Sequence, residues 1–144
     1  MGNAGLLAHA VANLVTNAVK YGPADAAVLV AARAESGSAV IEVTDRGPGI
    51  PEIHRARLFE RFYRIDRARS RDSGGTGLGL AIVKHVTVAH GGGAEIESRT
   101  GTDHGSTFRI RIPLAEMGPN RVIPLARGAA ESATMRLPEG RQSA

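Results

Sequence analysis

The sequence predicts an α+β domain over residues 1–114, followed by a tail over residues 115–144. Three observations support this fold class. Apolar residues recur at helical spacing near the start of the chain, short strand-like runs occur in pairs, and the apolar periodicity ends after Leu114. A chain of 144 residues can bury one real core but is too short for two domains to be expected.

The first helix is predicted from Gly5 to Tyr21, where a single apolar stripe is formed by Leu7, Val11, Leu14 and Ala18. The Gly22-Pro23 pair ends this helix. Two strand-like runs, 27–33 and 39–45, flank the turn-forming segment 35–38. These two strands are therefore expected to form a hairpin.

The second half of the domain contains two further helices and two strands. A short helix is predicted around residues 55–62, and a longer one runs from Leu78 to His90 and ends at three consecutive glycines. The last strands are predicted at 94–99 and 106–113. In the second of them apolar residues alternate with arginines, which indicates one buried and one exposed face. Residues 115–144 lack any apolar period and are expected to be mostly disordered.

The composition excludes several kinds of site. The chain has no cysteine, which rules out disulfides and thiolate metal sites and fits a reducing compartment. No window approaches about 18 consecutive apolar residues, so we expect a soluble, cytoplasmic segment without membrane contact of its own. The net charge of +4 comes from 18 basic and 14 acidic residues, and this mild excess is more typical of a solvated surface than of a nucleic-acid-binding face.

Polar side chains on the first predicted helix form the first candidate site. Asn13 and Asn17 are four residues apart and share one face of the helix, with Lys20 on the same flank. Amide oxygens are hard ligands suited to Mg²⁺, and an ammonium group suits phosphate. Taken alone, these residues are more simply explained as the solvated face of the helix.

A second candidate site follows the strand that ends at Asp45. In the segment Asp45 to Pro51, aspartate, glycine and proline are all typical of an ordinary turn. Alternatively, the Asp45 carboxylate accepts a hydrogen bond from an exocyclic amine such as that of adenine, while glycines let the backbone pass close to the ring. A guanine carbonyl in the same place would be repelled.

A third candidate site is the glycine-rich segment Gly75-Thr76-Gly77-Leu78-Gly79 at the start of a predicted helix. Unpaired backbone N–H groups and the helix dipole favour an anion there. The segment lacks the Gly-Lys-Ser/Thr ending of a P-loop, and it follows a charged loop and not a strand, which excludes a Rossmann fingerprint. A phosphate-binding loop of another kind and a simple hinge both stay open.

Five segments, taken in chain order, resemble the ATP-binding domain of bacterial two-component sensor histidine kinases, which belong to the GHKL ATPases. They match its asparagine box, first glycine box, phenylalanine box, second glycine box and last glycine box. The resemblance extends from about Gly2 to Leu114. The segments are Asn13–Tyr21, Asp45–Pro51, Leu58–Arg64, Gly74–Lys84 and Gly105–Phe108.

The resemblance implies a Bergerat-type fold, an α/β sandwich in which helices pack on one face of a mixed β-sheet and ATP lies under a mobile lid. It implies that Asn17 is the chief Mg²⁺ ligand and that Asn13 is a second polar contact to metal or phosphate. Lys20 and Arg64 are implied to contact the phosphates. Asn17, Lys20 and Arg64 are thus the residues expected to support catalysis.

The resemblance also implies how adenine is bound. Tyr21 is expected to lie against the ring, and Asp45 to bind its amine in a pocket shaped by Gly47 and Gly49. Ser106 and Thr107 are expected to close the adenine side, and the sequence does not decide which of the two hydroxyl groups contacts the nucleotide. The residues implied to form the end of the lid are Gly75, Thr76, Gly77, Leu78 and Gly79.

The activity implied by the resemblance is transfer of the γ-phosphoryl group of ATP to a histidine on a separate dimerising helical domain, with a response regulator downstream. None of the five histidines is followed by an acidic residue, as the family's phosphoacceptor is. We therefore expect the chain alone to bind ATP without completing autophosphorylation. Only Met1-Gly2-Asn3 precedes the first helix, so the family's first strand is expected to be missing, either from a fragment of a larger sensor kinase or from a short reading frame.

Two competing functions stay open at this point. One is a nucleotide-binding module of the same fold without kinase activity, or an anti-sigma-type serine kinase; the phenylalanine box favours the sensor kinases. The other is an arginine-rich nucleic-acid-binding domain, because seven arginines occur between Arg55 and Arg71. The aromatic residues among them fit the kinase motif better than base stacking.

Overall fold

The computed structural model describes residues 3–65 and 76–114. Their helices are α1 (Ala4–Tyr21), α2 (Glu52–Arg55) and α3 (Gly79–Ala89), and their strands are β1 (Leu29–Glu35), β2 (Ser38–Asp45), β3 (Gly93–Arg99) and β4 (Gly105–Pro113). The strands form one sheet in the order β1-β2-β4-β3, and each neighbouring pair is antiparallel. The predicted α+β class is confirmed. Neither a strand before α1 nor a parallel partner for the sheet is found among the described residues.

Helix α1 begins and ends where its sequence provides a cap. The side-chain oxygen of Asn3 accepts hydrogen bonds from the N–H groups of Gly5 and Leu6, at 3.0 and 3.3 Å. At the other end the chain becomes extended at Gly22, whose N–H donates to the carbonyl of Ala18 at 3.0 Å. The predicted helix from Gly5 to Tyr21 is therefore correct to within one residue.

Strands β1 and β2 form the predicted hairpin. The two residues of its loop, Ser36 and Gly37, have φ values of 47° and 74°, a conformation whose twist matches that of the flanking strands. The register pairs Glu35 with Ser38 directly across the loop. β1 starts two residues later than predicted, at Leu29 in place of residue 27.

The core lies between one face of the sheet and the two longer helices. Val43 of β2 and Ile110 of β4 are fully buried on this face, and they belong to one cluster with Leu14 of α1 and Val83 of α3. Burying an aliphatic side chain of this size contributes about 1.5–3 kcal/mol to folding. The alternation predicted for the last strand is confirmed, because Phe108 is buried on this face while its neighbour Arg109 pairs with glutamates.

The opposite face of the sheet is open and carries a ladder of ion pairs. Glu42 lies at its centre, with carboxylate oxygens 2.9 Å from an Arg33 Nη and 2.6 Å from Arg109 Nε. At the end of the ladder, Arg111 lies 3.2 Å from Glu35. Each of these arginines is thus matched by a carboxylate, so the face carries no uncompensated basic patch.

The short helix predicted at residues 55–62 is misplaced. α2 covers Glu52–Arg55, and the chain then continues in turns and bends as far as Phe62. Pro51 directly precedes the helix, and its fixed φ of −57° favours this early start. Phe62 has a φ of 63°, which is incompatible with a right-handed helix.

The apolar residues between 58 and 62 have helical spacing, but they pack against the core from a part of the chain that is not helical. Leu58 is buried, and the ring of Phe59 meets that of Phe108 edge-on, with centroids 6.4 Å apart. α3, β3 and β4 each lie within one residue of the predicted bounds. The predicted tail at residues 115–144 lies outside the described residues.

Candidate functional site

Asp45 is a buried carboxylate at the end of β2. Its side chain points to the helix-covered face of the sheet and is 7% exposed. One carboxylate oxygen accepts a hydrogen bond from the N–H of Gly47 at 2.7 Å. Burial raises the pKa of Asp45, and the backbone N–H groups of Gly47 and Ser106 offset part of the rise. No cation pairs with Asp45 within the described residues, so its remaining lone pairs can accept a donor from a ligand.

The loop after Asp45 passes close to two other segments. A Cβ atom on Gly47 would lie 3.1 Å from the carbonyl oxygen of Tyr21 at the end of α1. Gly49 has a φ of 78°, and a Cβ there would lie 1.9 Å from the carbonyl oxygen of Arg99. A larger residue is therefore excluded at Gly49 by the backbone of Arg99, while at Gly47 it would crowd the Tyr21 carbonyl and the Asp45 carboxylate.

The C-terminal half of α1 presents the predicted polar residues beside this loop. The Asn13 amide lies 3.5 Å from the carbonyl oxygen of Gly79, the first residue of α3. Asn17 is half-buried one turn later, and its side chain makes no hydrogen bond to any part of the chain that the structure describes. The Lys20 ammonium lies 5.3 Å from the centroid of the Tyr21 ring, which is 54% exposed.

The segment before α3 returns to the phenylalanine box. The carbonyl of Gly77 accepts a hydrogen bond from the N–H of Phe62 at 3.0 Å, and Gly77 has a φ of 70°. A Cβ on Gly77 would lie 3.0 Å from Phe62 Cα and 3.4 Å from Arg64 Cγ. Arg64 and Gly77 are thus neighbours. Gly75 lies outside the described residues, whereas Thr76 is exposed.

The first turn of α3 has no capping side chain among the described residues. Leu78 occupies the N-cap position but provides no side-chain hydrogen bond to the first turn, which contains no acidic residue. In the described part of the chain no anionic side chain therefore caps the N–H groups of this turn or the positive end of the helix dipole. They lie beside Asn13 of α1.

Ser106 and Thr107 occupy opposite faces of the sheet. Ser106 is directly opposite Asp45 in the register and is 5% exposed on the covered face. Thr107 is opposite Thr44, and the two hydroxyl oxygens are 2.9 Å apart on the open face. The structure thus brings Ser106 to the predicted site and does not bring the Thr107 side chain there.

Three residues that the sequence did not single out also contact this loop. Ser98 of β3 accepts a hydrogen bond from the N–H of Ile50 at 2.8 Å, and Arg55 of α2 donates to the carbonyl of Ile50 at 2.9 Å. A ring nitrogen of His104 lies 2.6 Å from the carbonyl oxygen of Gly47. Their partners are 5 to 57 positions away, and most of these contacts join separate elements, so no local pattern could have revealed them.

The described part of the chain holds no group of three or more histidine, cysteine, aspartate or glutamate side chains arranged for a metal ion. Any cation at this site would therefore depend on amide and ligand oxygens. In residues 3–65 and 76–114 no helix combines the length and apolar character needed to cross a membrane.

Comparison with known proteins matches this arrangement to one family. The profile of the histidine kinase-, DNA gyrase B- and HSP90-like ATPases matches residues 2–116. The sensor-like histidine kinase SenX3 of Mycolicibacterium smegmatis is 52% identical over 113 residues, which cover 78% of this chain and 29% of that protein. The phosphate regulon sensor protein PhoR of Pseudomonas aeruginosa is 45% identical over 111 residues, covering 77% of this chain and 25% of that protein.

Solved structures give the same result. The mycobacterial sensor histidine kinase MprB is 36% identical, with a TM-score of 0.68, and the match covers 78% of this chain and 72% of that one. Full-length ShkA in complex with AMPPNP is 35% identical, with a TM-score of 0.63, covering 76% of this chain and 21% of that one. The chain thus spans less than a third of the curated relatives it matches. It belongs to the histidine kinase-, DNA gyrase B- and HSP90-like ATPase family, and within that family it matches the ATP-binding catalytic domain of sensor histidine kinases.

Proposed function

We propose that this chain binds Mg·ATP and transfers its γ-phosphoryl group to a histidine on a separate dimerisation domain. The observation that carries the proposal is Asp45, a buried carboxylate that no cation of the described residues neutralises. The exocyclic amine of adenine supplies the donor that such an acceptor needs, whereas guanine has a carbonyl at that position. At Gly47 and Gly49 the loop that follows this carboxylate lies close to the backbone of Tyr21 and Arg99, where only small residues fit.

The phosphate end of the nucleotide is proposed to lie between α1 and the start of α3. The uncapped first turn of α3 would face the phosphates, with Lys20 and Arg64 supplying positive charge. Transfer of a phosphoryl group needs mainly positioning and neutralisation of charge, and these groups supply both.

The residues present fit Mg²⁺ held jointly by protein and nucleotide. Mg²⁺ prefers oxygen ligands and often uses few protein side chains together with phosphate oxygens. Asn17, whose amide is unengaged among the described residues, would be the chief ligand, and Asn13 a second polar contact. When bound, the ion would neutralise charge on the phosphates and orient them.

The partners follow from the relatives. The proteins matched are named as sensor kinases and are more than three times as long as the matched segment, and ShkA is named as a complex with AMPPNP. We propose that the phosphoacceptor histidine lies on a dimerising helical domain outside the matched segment. A response regulator would receive the phosphoryl group, and the domain would work in the cytoplasm.

The alternatives from the sequence are less well supported. Of the seven arginines that suggested a nucleic-acid surface, Arg55 donates to backbone carbonyls and Arg57 pairs with Glu60 at 3.2 Å. Arg67, Arg69 and Arg71 lie outside the described residues. A nucleotide-binding module without kinase activity, or a serine kinase of the anti-sigma type, differs from our proposal only in the phosphoryl transfer, which must be measured.

Isothermal titration calorimetry tests the nucleotide site. We expect the wild type to bind Mg·ATP and to bind Mg·GTP at least tenfold more weakly. Asp45→Asn should lose most of the affinity for ATP, while Asp103→Asn, which changes an 88% exposed carboxylate, should not. Equal binding of the two nucleotides, or ATP binding by Asp45→Asn at wild-type strength, would contradict an adenine pocket at this carboxylate.

Phosphoryl transfer is tested by adding a phosphoacceptor helical hairpin from a related kinase together with labelled ATP. Acid-labile label on the hairpin histidine is expected with the wild type and not with Asn17→Ala. Label on serine would support the anti-sigma alternative. ATP binding without any label on the hairpin would support the module that lacks kinase activity.

A further inference from the structure

Ser98 of β3 is the centre of a buried hydrogen-bond cluster. Its hydroxyl oxygen accepts a hydrogen bond from the N–H of Ile50 at 2.8 Å, and its proton is directed to the carbonyl of Gly105 at 3.1 Å. The Ser106 hydroxyl lies 2.8 Å away. Both serines are less than a tenth exposed.

Arg55 completes the cluster from α2. Its Nε donates to the carbonyl of Ile50 at 2.9 Å, and one Nη donates to the carbonyl of Ser98 at 2.6 Å. The N–H and the C=O of Ile50 are therefore both engaged, one by Ser98 and the other by Arg55. A guanidinium can make two such bonds at fixed geometry, which a lysine ammonium cannot reproduce.

This cluster is connected to Asp45 by Ser106. Ser106 is directly opposite Asp45 in the register of β2 and β4, and its hydroxyl is hydrogen-bonded to that of Ser98. The loop from Asp45 to Ile50 is thus fixed at both ends by groups on β3, β4 and α2. All of these bonds join groups of the protein itself.

We propose that Arg55 and Ser98 are positioning residues that hold the loop from Asp45 to Ile50 in its adenine-binding shape before nucleotide binds, an inference that rests on the proposed function. Neither side chain needs to touch the ligand. They raise the affinity because a loop that is already ordered loses less conformational entropy when the nucleotide binds. A loop released from the cluster would have to be ordered by the nucleotide itself.

Calorimetric dissociation constants for Mg·ATP and Mg·ADP test this role. We expect Arg55→Ala and Ser98→Ala each to raise both constants about tenfold, the effect of losing a buried hydrogen bond. The factor should be equal for ATP and ADP, because the two ligands share the adenine and differ only at the phosphates. Arg55→Lys should recover part of the loss at most.

Arg99→Ala is the matched control. Arg99 is the neighbour of Ser98 on β3, but its side chain is 66% exposed and pairs with the surface residue Asp103. We expect this variant to bind both nucleotides within twofold of the wild type. Should either alanine variant not fold, Arg55→Lys and Ser98→Thr carry the test, since both keep a polar group at the site.

The outcomes separate the two hypotheses. If the wild type binds neither nucleotide, the proposed function and the positioning role of Arg55 and Ser98 are both refuted. If the wild type binds ATP and the cluster variants lose thermal stability while their dissociation constants stay unchanged, only the positioning role is overturned. Unequal factors for ATP and ADP would overturn it as well. Amide exchange gives a ligand-free readout, in which the Ile50 N–H must lose protection in Ser98→Ala and keep it in Arg99→Ala.

Discussion

Replacing Gly49 by alanine perturbs the loop after Asp45 in a way that the structure allows us to quantify. Gly49 has a φ of 78°, and the added Cβ would lie 1.9 Å from the carbonyl oxygen of Arg99. Gly37 in the β1–β2 hairpin has a φ of 74°, but an added Cβ there meets nothing within 4 Å. The two glycines therefore share one backbone conformation and differ in their surroundings.

The difference between the two substitutions isolates the steric contact. A non-glycine residue in the left-handed region costs about 1–2 kcal/mol, partly offset by about 0.4–1 kcal/mol from the stiffer unfolded chain. Gly37→Ala should thus lose about 1 kcal/mol. Gly49→Ala has the same cost plus about 1–3 kcal/mol from overpacking against a backbone that cannot easily move. The total loss in free energy of unfolding is then about 3 kcal/mol.

Urea unfolding followed by circular dichroism measures the free energy of unfolding that each variant loses, and thermal unfolding gives its Tm. In a domain of this size, about 1 kcal/mol corresponds to about 4–8 °C in Tm, so Gly49→Ala should melt at least about 10 °C below the wild type. If the two variants lose equal stability, the loop does not touch β3 as described. The explanation of this glycine by close approach would then be refuted.

Three further predictions concern stability. Asn3→Ala removes the N-cap of α1 and should lower the free energy of unfolding by about 1 kcal/mol in urea, and an unchanged midpoint would contradict the cap. Burial raises the folded pKa of Asp45 above 3.8, so the folded state retains its proton longer than the unfolded state does. The wild-type free energy of unfolding should therefore fall, relative to that of Asp45→Asn, as pH rises from 3.8 through the folded pKa, and parallel pH curves would disprove this. Arg33 and then Arg109 lower the pKa of Glu42 below 4.5, so this residue stabilises the fold above that pH and ceases to do so as pH falls through its folded pKa. Glu42→Gln should lose about 0.5–1 kcal/mol at neutral pH and low salt and less in 1 M NaCl, whereas a loss independent of salt would exclude an ionic cause.

Much of the fold was predictable because its signals are local. Helix α1 is bounded by the capping residue Asn3 and by Gly22-Pro23, and the hairpin by a turn whose glycine adopts a positive φ. The asparagine and glycine segments could be assigned only from their joint order along the chain and the resemblance it carries, since each alone fitted a solvated face, a turn or a hinge. The structure places Asn13 beside Gly79 and Gly47 beside Tyr21.

The remaining features were not predictable because they depend on contacts between distant segments. The bounds of α2 were missed because Leu58, Phe59 and Phe62 have helical spacing. The burial of Leu58 depends on the core, and the positive φ of Phe62 occurs where its backbone meets Gly77. Ser98 and Arg55 look like ordinary strand and helix residues in the sequence. Their partners are backbone groups of residues as many as 48 positions away. Because every residue carries such groups, the sequence does not indicate which of them are bonded.

The hydrogen bond between Phe62 and Gly77 closes a chain loop at its base. The entropy lost on closing a loop grows only with the logarithm of its length, by about 0.6 kcal/mol for each doubling. Phe62 and Gly77 both have left-handed backbone conformations, and the Phe62 nitrogen lies 3.0 Å from the Gly77 carbonyl oxygen. These two residues therefore set the geometry at the point where the loop closes. The direction in which the chain enters α3 is therefore fixed by the backbone at Phe62 and Gly77, and it does not depend on which residues lie between them.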